Sequence, residues 1–221
     1  MPTKKVYECR YTQSTIRIDG RLDEPAWKKA PTLDFYIPVT HKTPQSISHG
    51  KLLWDETHIY AGIKASDKDI WALHTERDSP TCNEDVLEVF LKPYEDQSAY
   101  YNFEINPLGT VYDAFNVRRG AGGPDDHRWN KWDCEGLLVG IDIKGSLNNW
   151  DDIDEYWCLE VAIPFASLAT PQTPEYAATL RAGAGWGAFR CYEPLVVNDT
   201  TARLAPRTAP QPAPAYVQLI H

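Results

Sequence analysis

Glu88 and Glu104 are the residues whose types and spacing bear most directly on chemistry, because each sits inside a stretch that alternates like a β-strand. From Tyr100 to Asn106, Tyr101, Phe103 and Ile105 fall on one face, and Tyr100, Asn102, Glu104 and Asn106 on the other. In the preceding stretch Leu87 and Val89 point away from Glu88, which shares its face with Val86 and Phe90. If the two strands pair, the carboxylates stand within about 4.5–8 Å at Cβ, directly or diagonally. Two acids that close need a cation or a hydroxyl-rich ligand. Arg190, alternating with Phe189 and Cys191, would supply a balancing charge and a bidentate grip. Hydroxyl groups both donate and accept, so carboxylate, amide and guanidinium groups suit a polyol without catalysis. Parity alone leaves two readings open, a satisfied structural network and a ligand site.

The same two acids also fit a glycoside hydrolase, since carboxylates about 5 Å apart suit a retaining mechanism. Little else in the chain supports catalysis, and no turnover on aryl glycosides is expected. The six histidines show no i, i+4 pair, which argues against a zinc site or a triad. Five widely spaced cysteines, Cys9, Cys82, Cys134, Cys158 and Cys191, form no CxxC and read as reduced, mostly buried thiols, with one disulfide pair left open. Acids at Asp67, Asp69, Asp78, Asp125, Asp126, Asp151, Asp152 and Asp154 offer oxygens to calcium, but none forms an EF-hand loop, and surface charge is the plainer reading. Gly120-Ala121-Gly122-Gly123 lacks the Lys-Ser/Thr of a phosphate loop. A haem-binding sandwich would have to use His, because Met1 is the only Met.

The elements that must position these residues are strands. With 221 residues, 12% aromatics, 17 Pro and 13 Gly, the chain has the profile of an all-β domain, and no linker or repeat divides residues 1–221. Strands are expected at Lys5–Cys9, Thr15–Ile18, Lys51–Trp54, His58–Ala65, Val86–Leu91, Tyr100–Ile105, Thr110–Phe115, Leu137–Ile143, Tyr156–Ile163, Trp186–Tyr192 and Tyr216–Ile220. Their spacing suits an antiparallel β-sandwich. One short helix is expected around Pro25–Ala30, with an Asp cap, Pro in its first turn and Pro31 as its stop. Acidic residues exceed basic ones, 31 to 22, giving a formal charge of −9 that disfavours nucleic acid and anionic membranes as partners. No apolar run suggests a membrane span or a signal peptide, so a cytoplasmic protein or a trimmed leader is expected.

Five segments in order give a further reading: Ile18-Asp19-Gly20-Arg21-Leu22-Asp23-Glu24-Pro25-Ala26-Trp27, Leu53-Trp54-Asp55 through Ile59-Tyr60-Ala61-Gly62, Glu84-Asp85-Val86-Leu87-Glu88-Val89-Phe90, Tyr100 to Thr110, and Trp157 to Pro164. Together they resemble the family 9 carbohydrate-binding modules. The resemblance implies a jelly-roll-like sandwich, structurally bound calcium, and lectin-like, non-catalytic binding of a saccharide or glycan end on a concave sheet face. It implies hydrogen-bonding roles for Glu88, Asn106 and Arg190, while Glu104 departs from a more basic pattern.

The family's first stacking Trp falls on Cys82. The second belongs to a C-terminal loop, and Pro194–Pro214 holds neither Trp nor Tyr. Ring stacking is therefore expected to have moved to Trp71, Trp129 or Trp132, which lie near turns or in the irregular stretch Arg118–Asp133. Trp27, Trp54, Trp157 and Trp186 are expected in the core.

Overall fold

The alternating segments pair into two sheets in the computed structural model, which describes residues 6–37, 42–92, 99–116, 132–168, 197–198, 201–204 and 216–220. The strands are β1 (Val6–Tyr11), β2 (Leu33–Asp34), β3 (Ser48–Trp54), β4 (His58–Ser66), β5 (Leu87–Lys92), β6 (Tyr100–Ile105), β7 (Val111–Asn116), β8 (Leu138–Lys144), β9 (Tyr156–Pro164), β10 (Val197–Asn198), β11 (Thr201–Leu204) and β12 (Tyr216–Ile220). The larger sheet runs β11-β1-β3-β4-β9-β8, with β2 added alongside β3, and the smaller runs β10-β12-β5-β6-β7. Pairing is antiparallel except at β1, which is parallel to both β3 and β11. Among the described residues, no helix is long and apolar enough to cross a membrane.

Local chemistry explains the framework. Between β3 and β4, Asp55 Oδ1 accepts the backbone N–H groups of Thr57 (2.7 Å) and His58 (2.8 Å), an Asx turn that closes the hairpin and sets its register. The nine-pair ladder from His58↔Pro164 to Ser66↔Tyr156 makes β4 and β9 the spine of the larger sheet. Their alternation sends Ile59, Ala61, Ile63, Trp157, Leu159, Val161 and Ile163 inward. The smaller sheet answers with Leu87, Val89, Leu91, Tyr101, Phe103 and Ile105 in the same buried cluster, so the two inner faces make one core. Trp27, Trp54 and Trp157 are buried as expected, and Trp186 lies outside the described residues.

The outer faces of the two sheets meet different fates. Helix α1 (Pro25–Lys29) packs on the larger sheet, where Ile16, Ala26, Trp27 and Ala30 bury with Leu53, Tyr60 and Ala162. Its cap position is Glu24 rather than Asp, and no side chain bonds to the helix start; Pro25 begins the helix. Residues 15–18 form no ladder, because Ile16 and Ile18 join this plug instead of a strand. Glu160 fastens it. Completely buried, this carboxylate accepts Trp27 Nε1–H (2.7 Å) and the N–H groups of Asp19 and Gly20 (3.1 Å each).

Candidate functional site on the outer face of the smaller sheet

With the larger sheet covered, the smaller sheet's outer face is where polar and aromatic residues gather. Register places Glu88 directly opposite Glu104, and Glu104 opposite Tyr112. One row along, Phe90 faces Asn102 and Asn102 faces Ala114. Alternation puts all of these side chains, with Tyr100, away from the core. Glu88, Phe90, Tyr100, Glu104 and Tyr112 are half-buried. The Phe90 and Tyr100 rings lie 5.9 Å apart between centroids.

The electrostatics of this face are one-sided. Burial and the facing Glu104 push the Glu88 carboxyl well above the ordinary carboxylate range. Burial also raises Glu104, against the hydrogen bond that Asn102 Nδ2 donates to its Oε1 at 2.7 Å. Cys82, exposed in the turn before β5, has its thiol raised by burial and then by Glu104 and Glu88, so a thiolate is disfavoured there. Both carboxyls hold their protons more tightly folded than unfolded, where a Glu titrates near about 4.3. The pair's contribution to stability is thus present at low pH and is lost as pH rises through the folded values. Glu88→Gln is expected to raise Tm by about 2–4 °C at pH 8 and to leave it nearly unchanged at pH 4, the response of a domain this size to roughly 1 kcal/mol. Thermal denaturation at the two pH values reads this; an equal shift at both would contradict it.

Asn106 has a different task from the one parity gives it. Strand β6 ends at Ile105, and the fully buried Asn106 organises the turn into β7. Its Oδ1 accepts Leu108 N–H (3.0 Å) and Thr110 N–H (2.9 Å), while Nδ2 donates to His74 O (2.9 Å) and Glu84 Oε2 (3.0 Å). Gly109 takes the positive φ of 78° that the turn requires. Glu84 also accepts the N–H groups of Leu73 and His74, which ties the loop carrying Cys82 to the β6–β7 hairpin. Asn106 therefore positions the face instead of lining it. Asn102 and Tyr112, absent from the expected site, line it in its place.

The tryptophans divide. Trp132 packs on the core at 4.7 Å from Tyr101 and 6.0 Å from Phe103, both inward-facing rings, so it caps the sandwich and does not stand as a platform. Trp71 is half-buried, and its ring lies tilted at 4.8 Å from that of Trp150, which is 74% exposed. The loops that bring them together are clamped by Asn148, which accepts Ala72 N–H (2.8 Å) and donates to Ala72 O (2.7 Å). Trp129 and Arg190 lie outside the described residues.

Among the described residues, one group of acids stands close enough together to share an ion. Asp78, Asp113 and Asp133 bring one ligand atom each within 4.8 Å of one another. Arg77 already serves them as the cation, with Nη2 on Asp113 (2.5 Å) and Nε on Asp133 (2.8 Å). Asp154, also considered as a ligand, is buried and accepts Ile70 N–H and Ser146 N–H.

Comparison with known proteins agrees with this architecture. The family model described as "Carbohydrate family 9 binding domain-like" matches residues 18–179, and the chain belongs to that family. Among solved structures, a Bacteroides uniformis protein described as carbohydrate-binding shares 15% identity over 75% of each chain with a TM-score of 0.55, which supports the fold. A family 9 carbohydrate-binding module of Caldicellulosiruptor kristjanssonii in complex with cellotriose is 18% identical over 72% of this chain and 67% of that one, with a TM-score of 0.49. The same organism's module in complex with glucose is also 18% identical, over 72% and 69%, with a TM-score of 0.48. No curated protein matches the sequence.

Proposed function

We propose that this module binds a saccharide without cleaving it, and that the ligand docks on the outer face of β5, β6 and β7. Family membership supports carbohydrate binding, and the observation that carries the location is the contrast between outer faces. The larger sheet's is filled by the α1 plug, while the smaller sheet's presents Glu88, Glu104 and Asn102 beside the rings of Phe90, Tyr100 and Tyr112. Acceptors flanked by aromatic faces are what sugar hydroxyls and C–H faces meet in a recognition site. Trp150, exposed beside the half-buried Trp71, is a second place for ring stacking, reached from the loops before β5 and after β8.

The hydrolase alternative has no support here. A retaining pair needs one carboxyl kept protonated and its partner ionised by unlike surroundings. Among the described residues, the face holds no further feature that assigns Glu88 and Glu104 to separate catalytic roles.

A glycan array followed by calorimetry on the best ligand tests the proposal. Glu88→Ala is expected to weaken binding by about tenfold or more, the equivalent of roughly 1.4 kcal/mol. Full affinity in that variant, with affinity lost in Trp150→Ala, would move the site to the loops.

A further inference from the structure

Among the described residues several acids are matched by a cation, and two groups are not: Asp67, Asp85 and Asp154, whose oxygens accept backbone N–H groups, and the pair Glu88 and Glu104. Arg77 answers Asp113 and Asp133, Arg17 answers Asp19, Arg21 approaches Asp142, and Lys144 answers Glu155. Glu88 and Glu104 sit opposite each other in register, and no described basic side chain pairs with either. Beside them, Asn102 is only 8% exposed, donates through Nδ2 to Glu104, and leaves Oδ1 buried with no donor. Turning the amide over would set its oxygen against a carboxylate, so Glu104 itself fixes which end is left over. A buried acceptor without a donor marks a missing partner.

Two carboxylates and an orphan amide oxygen make a face of acceptors. Hydroxyl groups supply donors but cannot cancel charge, whereas a primary ammonium brings three N–H donors, no acceptor and one positive charge. Ring faces suit the same group, and Phe90, Tyr100 and Tyr112 share the surface.

We propose that the saccharide recognised by this face is an amino sugar with a free amine, its ammonium held by Glu88, Glu104 and the Asn102 carbonyl oxygen. This rests on the reading that the face binds saccharide at all. An ammonium there gives the acid pair a counter-charge and Asn102 Oδ1 a donor.

Calorimetry with three trisaccharide probes of equal length tests it: the β-1,4-linked glucosamine trimer, its N-acetylated counterpart, and cellotriose. The free-amine trimer is expected to bind at least about tenfold more tightly than either neutral trimer. Glu88→Gln and Glu104→Gln, which keep shape and remove charge, are expected to abolish that preference. Equal or tighter binding of a neutral trimer would overturn the ammonium assignment and leave saccharide binding standing. Silence with all three would remove both. A preference surviving in both Gln variants would also overturn the assignment, since the acidic surface as a whole would then be its source. So would a calcium titration whose heat is lost in Glu104→Gln, because a metal would then be the missing partner.

Discussion

Replacing Glu160 by Ala is expected to destabilise the protein by roughly 3–5 kcal/mol, the range for orphaning several buried donors at once. The carboxylate is completely buried between the larger sheet and the segment that leads into α1. Three donors converge on it, the Trp27 indole N–H and the backbone N–H groups of Asp19 and Gly20. The segment has no slack to find other partners. Gly20 holds φ at 82°, and a Cβ there would lie 2.3 Å from Asp142 N. Glu160→Gln keeps the size and one acceptor oxygen, so it should lose less, about half as much. Urea denaturation of the three proteins reads the difference as a fall in midpoint at constant slope. A loss under about 1 kcal/mol for Ala would mean that the plug is held by apolar contact alone.

A loss of about 1–3 kcal/mol is expected for Asp113→Ala, the cost of leaving a buried backbone donor without its acceptor and a half-exposed guanidinium without its inner partner. Asp113 lies on the core side of β7 between Val111 and Phe115, opposite Phe103, and is completely buried. Its Oδ2 accepts Cys134 N–H at 2.6 Å, and Oδ1 receives Arg77. Removing it leaves the Cys134 N–H without its acceptor and Arg77 with Asp133 alone. Asp133→Ala should cost far less, since Asp133 is exposed and Arg77 would keep its inner partner. Equal losses for the two variants would show that the cluster acts as a surface network and not as a buried anchor.

How much of this was legible in the sequence depended on whether a residue's fate was decided locally. Alternation in Tyr100–Ile105 set the two faces of β6 correctly, and the Glu88–Glu104 opposition falls within the reach that strand pairing allows. Parity failed at Asn106 because it holds only inside a strand, and Pro107 and Gly109 just beyond already signal the turn that takes the amide. Glu160 carried a readable cue: Cys158 and Ala162, flanking it on its own face, are too apolar for a solvated surface. The parallel placement of β1, the matching of Arg77 to Asp113 and the burial of Trp132 against Tyr101 are long-range events. No local pattern encodes them, and an aromatic residue near a turn reads the same whether it folds inward or stands free.

That a saccharide docks on the outer face of β5–β7 is tested most directly by residue-resolved NMR during titration with the best ligand from the glycan array. Backbone amide shifts are expected to concentrate at Glu88, Phe90, Asn102, Glu104 and Tyr112, and to vanish in Glu88→Ala. Shifts confined to Trp71, Trp150 and their loops, with the five sheet residues unmoved at saturation, would contradict it.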